Sequence, residues 1–273
     1  MTTRPLEGRI AVVAGASRGI GKGIAVELGA AGATVYALGR TLQPGTGGAP
    51  GSLTETVQLI ESLGGKAHAV ACDCTSESAI GALLSRVDSE QGRLDIMVNS
   101  VFAAHSFRDT VGKRFWETPT DIWRDIVDLG AKSAYVASVL AAPRLIATAK
   151  KDGRATMILN VTGRAALAYR YNVAYGVGKA ATEKMTRDMS IDLRDHNVAV
   201  VSIWPNGAIK EPMETHRYSG RAVANLLADP AVMKRSGEHY WSADLGAVYG
   251  FKDEFGNLHQ APPLEDELSF KKG

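Results

Sequence analysis

Short apolar runs alternate with longer helical patterns along most of this chain, and no other feature restricts the fold as strongly. The runs are "RIAVVAGA", "TVYALGR", "AHAVACDC", "LDIMVNS", "ATMILNV" and "VAVVSIWP". Strands that are apolar on both faces belong to parallel sheets, which helices cover on both sides. The pattern therefore predicts an α/β fold: a doubly wound parallel sheet of six to seven strands between two helical layers, in three α/β/α layers.

The composition is that of an ordinary globular chain. It has 273 residues without an internal repeat or a linker, which predicts a single domain over 1–273. Its 31 basic residues are interspersed with 29 acidic ones, so we expect no nucleic-acid surface. No apolar stretch approaches the roughly 18 residues that span a bilayer, and the first apolar run is typical of a buried strand. We therefore expect a cytoplasmic protein that does not bind membranes.

Cys72 and Cys74 are the only cysteines in the sequence. Their C-x-C spacing offers too few ligands for a four-ligand zinc site and is too close for an easy disulfide. We expect no metal site and interpret both as small residues at the end of a strand.

Three segments are predicted to form loops at the carboxyl ends of strands: 41–52, 103–117 and 206–220. Ligands of open α/β sheets bind at this edge, so the second and third segments are expected to be substrate loops. Thr118 followed by Pro119 is typical of a helix start, which predicts that the long fourth helix begins there.

The segment "AGASRGIG", residues 14–21, joins the first strand to a helix. Glycine allows close backbone approaches, so main-chain N–H groups and the positive end of the helix can meet a pyrophosphate. In this position such a turn is typical of Rossmann-type dinucleotide-binding folds. The residues expected to bind the cofactor are Gly15, Ser17, Arg18, Gly19, Ile20 and Gly21. The alternative is a tight turn without a ligand.

Arg40 ends the second strand, where a fold that selects NAD presents Asp or Glu to the ribose 2′-hydroxyl. An arginine suits a 2′-phosphate through charge-assisted hydrogen bonds, and Arg18 offers a second cation. This favours NADP(H) as the cofactor, with NAD(H) as the alternative. The competing interpretation is a solvated arginine beside a loop.

Tyr175 and Lys179 are four residues apart in "YNVAYGVGKAA" and so lie on one face of a helix. A phenol has an ordinary pKa of about 10 and gives up its proton poorly at neutral pH. A nearby ammonium favours the phenolate, so we expect Lys179 to lower the pKa of Tyr175. The small residues between and after them are expected to leave room for the flat ring.

The Gly-rich turn, the Tyr-x-x-x-Lys pair and the Pro-containing turn after the next strand together resemble the short-chain dehydrogenase/reductase family. The resemblance covers nearly the whole chain. The segments "FWETP", "NVAYGVGKAA" and "YGFKDEFGN" resemble the subgroup of SDR family member 1. This family resemblance implies an NADP(H)-dependent oxidoreductase that interconverts a carbonyl and an alcohol of a small molecule. Tyr175 would protonate the substrate oxygen, Lys179 would tune it and hold the nicotinamide ribose, and Thr162 would replace the family's serine.

The resemblance also assigns cofactor-binding positions to Asp73 near the adenine, to Asn99 after the fourth strand and to Pro205 in the turn after the sixth. Gly130 falls where many members carry an asparagine that relays protons, which puts the usual proton route in doubt. In "WPNGAIKEPM", Asn206 replaces a glycine, and Lys210 falls where a threonine commonly contacts the nicotinamide.

Several aromatic residues are candidates for an apolar substrate pocket. Those expected to line it are Phe102, Trp116, Tyr169 and Tyr171, with Phe107 and Phe115 nearby. The rest of the wall is expected from the 103–117 loop, from the C-terminal tail or from another subunit. His105 is interpreted as a surface residue.

Family members commonly pair through the fourth and fifth helices, which implies a homodimer or homotetramer. Two alternatives to the carbonyl oxidoreductase stay open. One is a catalytically weak or inactive scaffold or regulatory protein that binds a dinucleotide. The other is an enzyme that reduces a conjugated C=C bond.

Overall fold

The computed structural model describes residues 4–46, 49–102, 110–206 and 214–266. Its sheet has seven parallel strands in the order β3-β2-β1-β4-β5-β6-β7. The strands are β1 (Ile10–Ala14), β2 (Thr34–Gly39), β3 (Lys66–Ala71), β4 (Ile96–Asn99), β5 (Thr156–Val161), β6 (Val198–Trp204) and β7 (His239–Trp241). The predicted doubly wound parallel sheet is confirmed, and the strand order reverses between β1 and β4.

Helices connect the strands. They are α1 (Gly19–Ala30), α2 (Leu53–Ser62), α3 (Glu77–Gln91), α4 (Ser133–Asp152), α5 (Val173–Asp192), α6 (His216–Ala228) and α7 (Ser242–Tyr249). A π-helical segment, Arg124–Lys132, leads directly into α4. Within the described residues, no helix combines the length and apolar character that crossing a bilayer requires.

The strands are buried because both of their faces are apolar. Along β1, Val13 packs into the core on one side of the sheet, and its neighbour Val12 packs into the core on the other side. Leu159 and Ile158 divide in the same way along β5. Alternate side chains of a strand point to opposite faces, so a continuous apolar run fills both cores and fixes the sheet between two helical layers.

The long fourth helix does not begin at Thr118, as the sequence predicted. The hydroxyl of Thr118 donates to the carbonyl of Phe115 at 2.7 Å and closes a short 3-10 helix, Phe115–Glu117. The regular helical segment follows at residue 122 and becomes π-helical at Arg124. Thr118 therefore stabilises the end of one element and does not cap the next.

The two predicted substrate loops need corrected boundaries. Residues 103–109 and 207–213 lie outside the described part of the chain. Of the remainder, Phe115–Glu117 is helical, and α6 begins at His216, with the Thr215 side chain accepting from the amide of Tyr218. The predicted 206–220 loop therefore ends at Thr215 and not at residue 220.

Candidate functional site

A cavity lies at the carboxyl ends of β4 and β5, between the π-helical segment and α5. The described residues that line it are Asn99, Val101, Phe102, Ile126, Gly130, Ser133, Ala134, Val161, Tyr175, Gly178, Lys179 and Thr182. Lys179 is the only residue of this set with a formal charge. The sequence prediction that Tyr175 and Lys179 reach one place is met, because both side chains line this cavity.

The start of α5 is fixed by Asn172. Its side-chain oxygen accepts from the amide of Tyr175 at 2.8 Å, and its side-chain nitrogen donates to the hydroxyl of Thr110 at 3.0 Å. Asn172 is 3% exposed and follows Tyr171, which has a left-handed backbone with φ of 65°. A buried N-cap held from two sides sets where the first turn begins and so places Tyr175 against the cavity.

The Lys179 ammonium lies among aromatic rings and next to a strand end. Its Nζ donates to the carbonyl of Val161 at 3.1 Å. It also lies 5.7 Å from the ring centre of Phe102 and 5.6 Å from that of Tyr175. Burial lowers the pKa of Lys179 to about 8, although the negative charge of Glu183 acts in the opposite direction.

The phenol of Tyr175 behaves differently from the sequence-based expectation. Its ring meets Phe102 and Tyr171 edge to face, with centre distances of 5.7 and 5.4 Å. Burial raises its pKa above the ordinary value, Tyr171 adds to this rise, and Arg170 opposes it. The predicted lowering by Lys179 is therefore not met, because the ammonium lies over the ring and desolvation of the phenolate is the larger effect.

Thr162 lies at the end of β5, one residue beyond the cavity-lining Val161, and is 4% exposed. Its hydroxyl donates to a carboxylate oxygen of Glu183. Sequence reasoning placed Thr162 at the substrate oxygen and missed Glu183 altogether. The signal was present, because Glu183 follows Lys179 by four residues, as Lys179 follows Tyr175, and all three fall on one helical face.

Gly130 lies in the π-helical segment and lines the cavity. A side-chain carbon built on Gly130 would meet no described atom within 4 Å. Nearby, the Ser133 hydroxyl donates to the carbonyls of Leu129 and Gly130 at 2.5 and 3.0 Å. The position that carries an asparagine in many family members is therefore open space in the cavity wall.

The glycines of the predicted cofactor turn meet two different demands. A side-chain carbon on Gly15 would lie 2.4 Å from the carbonyl oxygen of Ser100, and one on Gly21 would lie 2.3 Å from that of Gly15. These two positions need glycine because strand, turn and helix pack directly against each other. Gly19 has a φ of 58° and open space around it, which suits the approach of a ligand.

The other predicted turn residues lie around the start of α1. Ser17 is 8% exposed, and Ile20 packs against the core from a partly buried position. Arg18 donates to the Thr41 hydroxyl at 2.8 Å, which links the turn to the end of β2. The helix starts without a side-chain cap at Arg18, so the first amides of α1 are left for solvent or a ligand.

Arg40 and Asp73, which follow the neighbouring strands β2 and β3, are close enough for their charges to interact. Arg40 is exposed at the end of β2. Asp73, beyond β3, accepts from the amide and hydroxyl of Thr75, and these bonds lower its pKa, with a smaller contribution from the charge of Arg40. The predicted adenosine end of the site therefore carries one cation and one anion near each other.

Asn99 ends β4 and is 6% exposed. Its side-chain nitrogen donates to Ser138 at 3.0 Å and to Asn160 at 2.9 Å. Its side-chain oxygen is buried and has no hydrogen-bond partner among the described residues. Pro205 follows β6, and the next residue, Asn206, donates to the carbonyl of Gln260 at 3.2 Å.

The four aromatic pocket candidates occupy different places. Phe102 lines the cavity, and Tyr171 contacts the ring of Tyr175. Trp116 is 69% exposed and packs edge to face on Phe115. Tyr169 is partly buried. The further candidates Phe107, His105 and Lys210 lie outside the described residues.

The C-terminal tail crosses the loop between β5 and α5. The Tyr169 amide donates to the Asp266 carboxylate at 2.6 Å, and Arg164 donates to the carbonyl of Pro263 at 3.1 Å. The tail is folded around Asp253, which pairs with His259 at 3.0 Å. The tail therefore contacts the loop before α5, but none of its described residues is among those that line the cavity, so its contribution to the substrate wall stays a prediction.

Comparison with known proteins places this arrangement in a family. The short chain dehydrogenase family model matches residues 9–222. The chain is 38% identical over 292 aligned positions to "Dehydrogenase/reductase SDR family member 1" of Homo sapiens, which covers 97% of this chain and 88% of that protein.

Solved structures agree with this match. That of 7 alpha-hydroxysteroid dehydrogenase, complexed with NADH and 7-oxo glycochenodeoxycholic acid, aligns with a TM-score of 0.72 and 27% identity, over 88% of this chain and 94% of that one. A metagenomic short-chain oxidoreductase in complex with NADP aligns with a TM-score of 0.70 and 26% identity, over 87% and 98%. From the match to the family model and the near full-length relative, we conclude that this chain belongs to the short-chain dehydrogenase/reductase family, in the subgroup of SDR family member 1.

Proposed function

We propose that this oxidoreductase uses NADP(H) to interconvert a carbonyl and an alcohol of a small molecule, and that the whole chain acts as one NADP-binding domain. The observation that carries the proposal is the convergence of Tyr175 and Lys179 on one cavity at the carboxyl edge of the sheet. The cavity lies beside the point where the strand order reverses, which is where ligands bind in open α/β sheets.

The residues present fit a dinucleotide. Gly19 offers open space and a positive φ, and the uncapped start of α1 offers amides and the positive helix end to a pyrophosphate. The buried, unpartnered oxygen of Asn99 in the cavity wall suits a ligand N–H group. Solved structures of this family in complex with NADH and with NADP support a nicotinamide cofactor.

The preference for NADP(H) over NAD(H) is proposed from Arg40 and Arg18. Arg40 is exposed at the end of β2, and Arg18 is directed to the same edge by its bond to Thr41. Two guanidinium groups favour a 2′-phosphate over a 2′-hydroxyl, because charge-assisted bonds to phosphate are stronger than neutral ones.

When bound, the nicotinamide would supply or accept the hydride. Tyr175 holds the proton: its phenol is protonated at neutral pH and would donate to a carbonyl oxygen as that oxygen becomes an alkoxide, although burial raises the pKa and makes it a weaker acid than an exposed phenol. Lys179 holds a positive charge in the same cavity and would stabilise negative charge that develops on the substrate oxygen. Besides the Tyr175 phenol, the Thr162 hydroxyl at the end of β5 is the second hydroxyl proposed for the reaction, and its bond to Glu183 orients it.

The substrate site is proposed to be apolar and partly closed by the tail. Phe102, Val101 and Ile126 supply the apolar wall, and the segment up to Asp266 lies over the loop before α5. A homodimer or homotetramer through α4 and α5 is proposed from the family. Exposed Tyr135 and Val139 on α4 support it, since they are apolar surface on one of the pairing helices.

The test is turnover of NADPH with a panel of aldehydes, ketones and quinones, followed by its absorbance. We expect activity in the wild type and a loss of about 10²–10⁴-fold in Tyr175→Phe, the range typical of a lost acid–base group. Tyr240→Phe, at a tyrosine on β7 that is not among the cavity-lining residues, is the matched control and should retain activity. Equal activity of both variants would refute the role of Tyr175.

A second candidate is a dinucleotide-binding scaffold or regulatory protein with weak or no catalysis. It is favoured by Gly130, which leaves the relay position without a side chain, and by the bond that engages the Thr162 hydroxyl with Glu183. Binding of NADPH without turnover over the whole panel would support this candidate against the enzyme.

A further inference from the structure

We propose that Glu183 is a positioning residue of the reaction: its carboxylate fixes the hydroxyl of Thr162 and places a negative charge one helical turn beyond Lys179. This inference rests on the proposed function, which gives Thr162 and Lys179 their roles. Sequence reasoning did not single out Glu183, and the site geometry does.

Three side chains from the ends of β5 and β6 donate hydrogen bonds to Glu183. Ser202 donates to its two oxygens at 2.8 and 2.7 Å, and Thr162 and the Trp204 indole both donate to Oε1. The three donors are 0–4% exposed. A buried or half-buried carboxylate needs such donors to offset its desolvation, and once they converge the carboxylate has one fixed position.

The bond to Glu183 decides what Thr162 can do. A hydroxyl has one proton and two lone pairs, and Thr162 gives that proton to the carboxylate. Towards any other partner its oxygen then acts as an acceptor, for example of the hydroxyl proton of a substrate alcohol. Donation to a substrate carbonyl requires the hydroxyl to leave Glu183.

Glu183 also balances the cavity's cation. Burial lowers the pKa of Lys179 to about 8, and the charge of Glu183 is the opposing influence. On α5 itself, the titratable groups on this face are Tyr175, Glu183 and, one turn further on, the exposed Arg187. From the other packed elements, the described lining residues are uncharged: Asn99, Val101, Phe102 and Val161 from the strand ends, and Ile126, Gly130, Ser133 and Ala134 from the π-helical segment and α4. Removing the Glu183 carboxylate therefore leaves Lys179 without a facing anion in the described cavity.

The first test follows Lys179 directly and needs no turnover. The lysines of the full-length, cofactor-free protein are reductively ¹³C-methylated, and the Lys179 resonance is assigned by its loss in Lys179→Met. In Glu183→Gln, we expect the titration midpoint of Lys179 to fall by about one pH unit, the size typical of losing a near opposite charge. Glu183→Asp keeps the charge and should restore most of the midpoint.

Asp188→Asn is the matched control. Asp188 lies on the same helix, is exposed and pairs with Lys184 at 2.6 Å. Removing its charge should leave the Lys179 midpoint and the activity unchanged. If Glu183→Gln does not fold, the double variant Glu183→Met with Ser202→Ala removes the charge together with one stranded donor and serves the same measurement.

The second test is kinetic. With a substrate that the wild type turns over, the pH profile of kcat/KM in Glu183→Gln should move toward lower pH by the same interval as the Lys179 midpoint, with kcat changing more than KM. A residue that only stabilises the fold would lower activity equally at every pH. If the pH profile of the variant has the same midpoint as that of the wild type and differs only in height, the inference is overturned.

The two proposals fail in different ways. An unchanged Lys179 midpoint in a folded variant without the carboxylate overturns the role of Glu183, whatever the enzyme does. A shifted midpoint in a protein that turns over nothing supports the placement of Glu183 and counts against the proposed function alone.

Discussion

Replacing Lys179 by methionine should stabilise the fold at neutral pH while removing the proposed activity. The folded pKa of Lys179 is about 8, against an ordinary value of 10.5. At pH 7 the group is charged in both the folded and the unfolded state, and the folded state bears the cost of holding that charge away from water. Because one pKa unit corresponds to about 1.4 kcal/mol, this cost is about 3 kcal/mol.

Methionine fills similar space without the charge but loses the bond from Nζ to the Val161 carbonyl. That bond contributes about 1 kcal/mol. We therefore expect Lys179→Met to raise the free energy of unfolding by about 2 kcal/mol at pH 7. The unfolded chain binds more protons than the folded one between pH 8 and 10.5, so the wild type gains stability relative to the variant as pH rises through this window. Above pH 10.5, the higher stability of Lys179→Met over the wild type should have disappeared.

Urea unfolding of wild type and variant at several pH values between 7 and 10 measures this difference, because other groups that titrate cancel between the two proteins. Lys184→Met, an exposed lysine on the same helix, is the control and should change stability by less than about 0.5 kcal/mol. A Lys179→Met protein that is less stable than the wild type at pH 7, or whose advantage is the same at pH 7 and pH 10, would refute the burial argument.

Three further predictions concern the cofactor turn and the tail. Gly21→Ala places a carbon 2.3 Å from a backbone oxygen, so it should lower the free energy of unfolding in urea by about 1–3 kcal/mol and weaken dinucleotide binding. The control Gly81→Ala, in open space on α3, should raise the free energy of unfolding by about 0.5–1 kcal/mol. Arg40→Asp should weaken NADPH binding about tenfold to a hundredfold in a fluorescence titration, with NADH binding unchanged or tighter; an unchanged ratio would contradict its role. Burial alone would raise the pKa of Asp253, but hydrogen bonds from Asn257, His259 and Phe255 lower it to about 2. The Asp253 carboxylate therefore stabilises the tail above about pH 4, and this stabilisation is lost as the pH falls toward 2. Asp253→Asn should release the tail already at pH 7, seen as faster hydrogen exchange over 251–266, and equal exchange in both proteins would exclude this role.

The parts of the fold that could be predicted depend on local patterns. Apolar runs such as that around Val12 and Val13 fill two cores, and this requirement appears in the sequence as uninterrupted hydrophobicity. The pairing of Tyr175 with Lys179 is likewise local, because helical geometry alone brings residues four apart to one face. The turn glycines at 15 and 21 could also be predicted from a local pattern, the glycine-rich turn between a strand and a helix. The backbone atoms that they approach could not.

The parts that could not be predicted depend on contacts between distant segments. The small residues of α5 are an example: a side-chain carbon on Gly176 would lie 3.3 Å from the carbonyl of Ala165, and one on Gly178 would lie 3.4 Å from that of Ile126. They allow close packing of neighbouring backbone, a contact that the sequence did not reveal. The partner of Thr162 also depends on a contact between distant segments: the spacing on α5 places Glu183 on the helical face of Lys179, but only the packing of the end of β5 against α5 shows which hydroxyl it meets.

In this structure the Lys179 ammonium loses its proton at a lower pH than the Tyr175 phenol, the reverse of what the sequence suggested. The sequence suggested an acidified phenol beside a strong cation, but burial moves both groups toward their neutral forms, raising the pKa of the phenol and lowering that of the ammonium to about 8. Burial disfavours both charges, although Lys179 with a pKa of about 8 is still charged at pH 7, and Glu183 is the group that opposes the lowering of the lysine pKa. A site in this condition holds its phenol protonated at neutral pH, which suits donation to a carbonyl. Oxidation of an alcohol needs the phenolate, and the Lys179 ammonium, which lies 5.6 Å from the ring centre, does not offset the desolvation that raises the pKa of Tyr175.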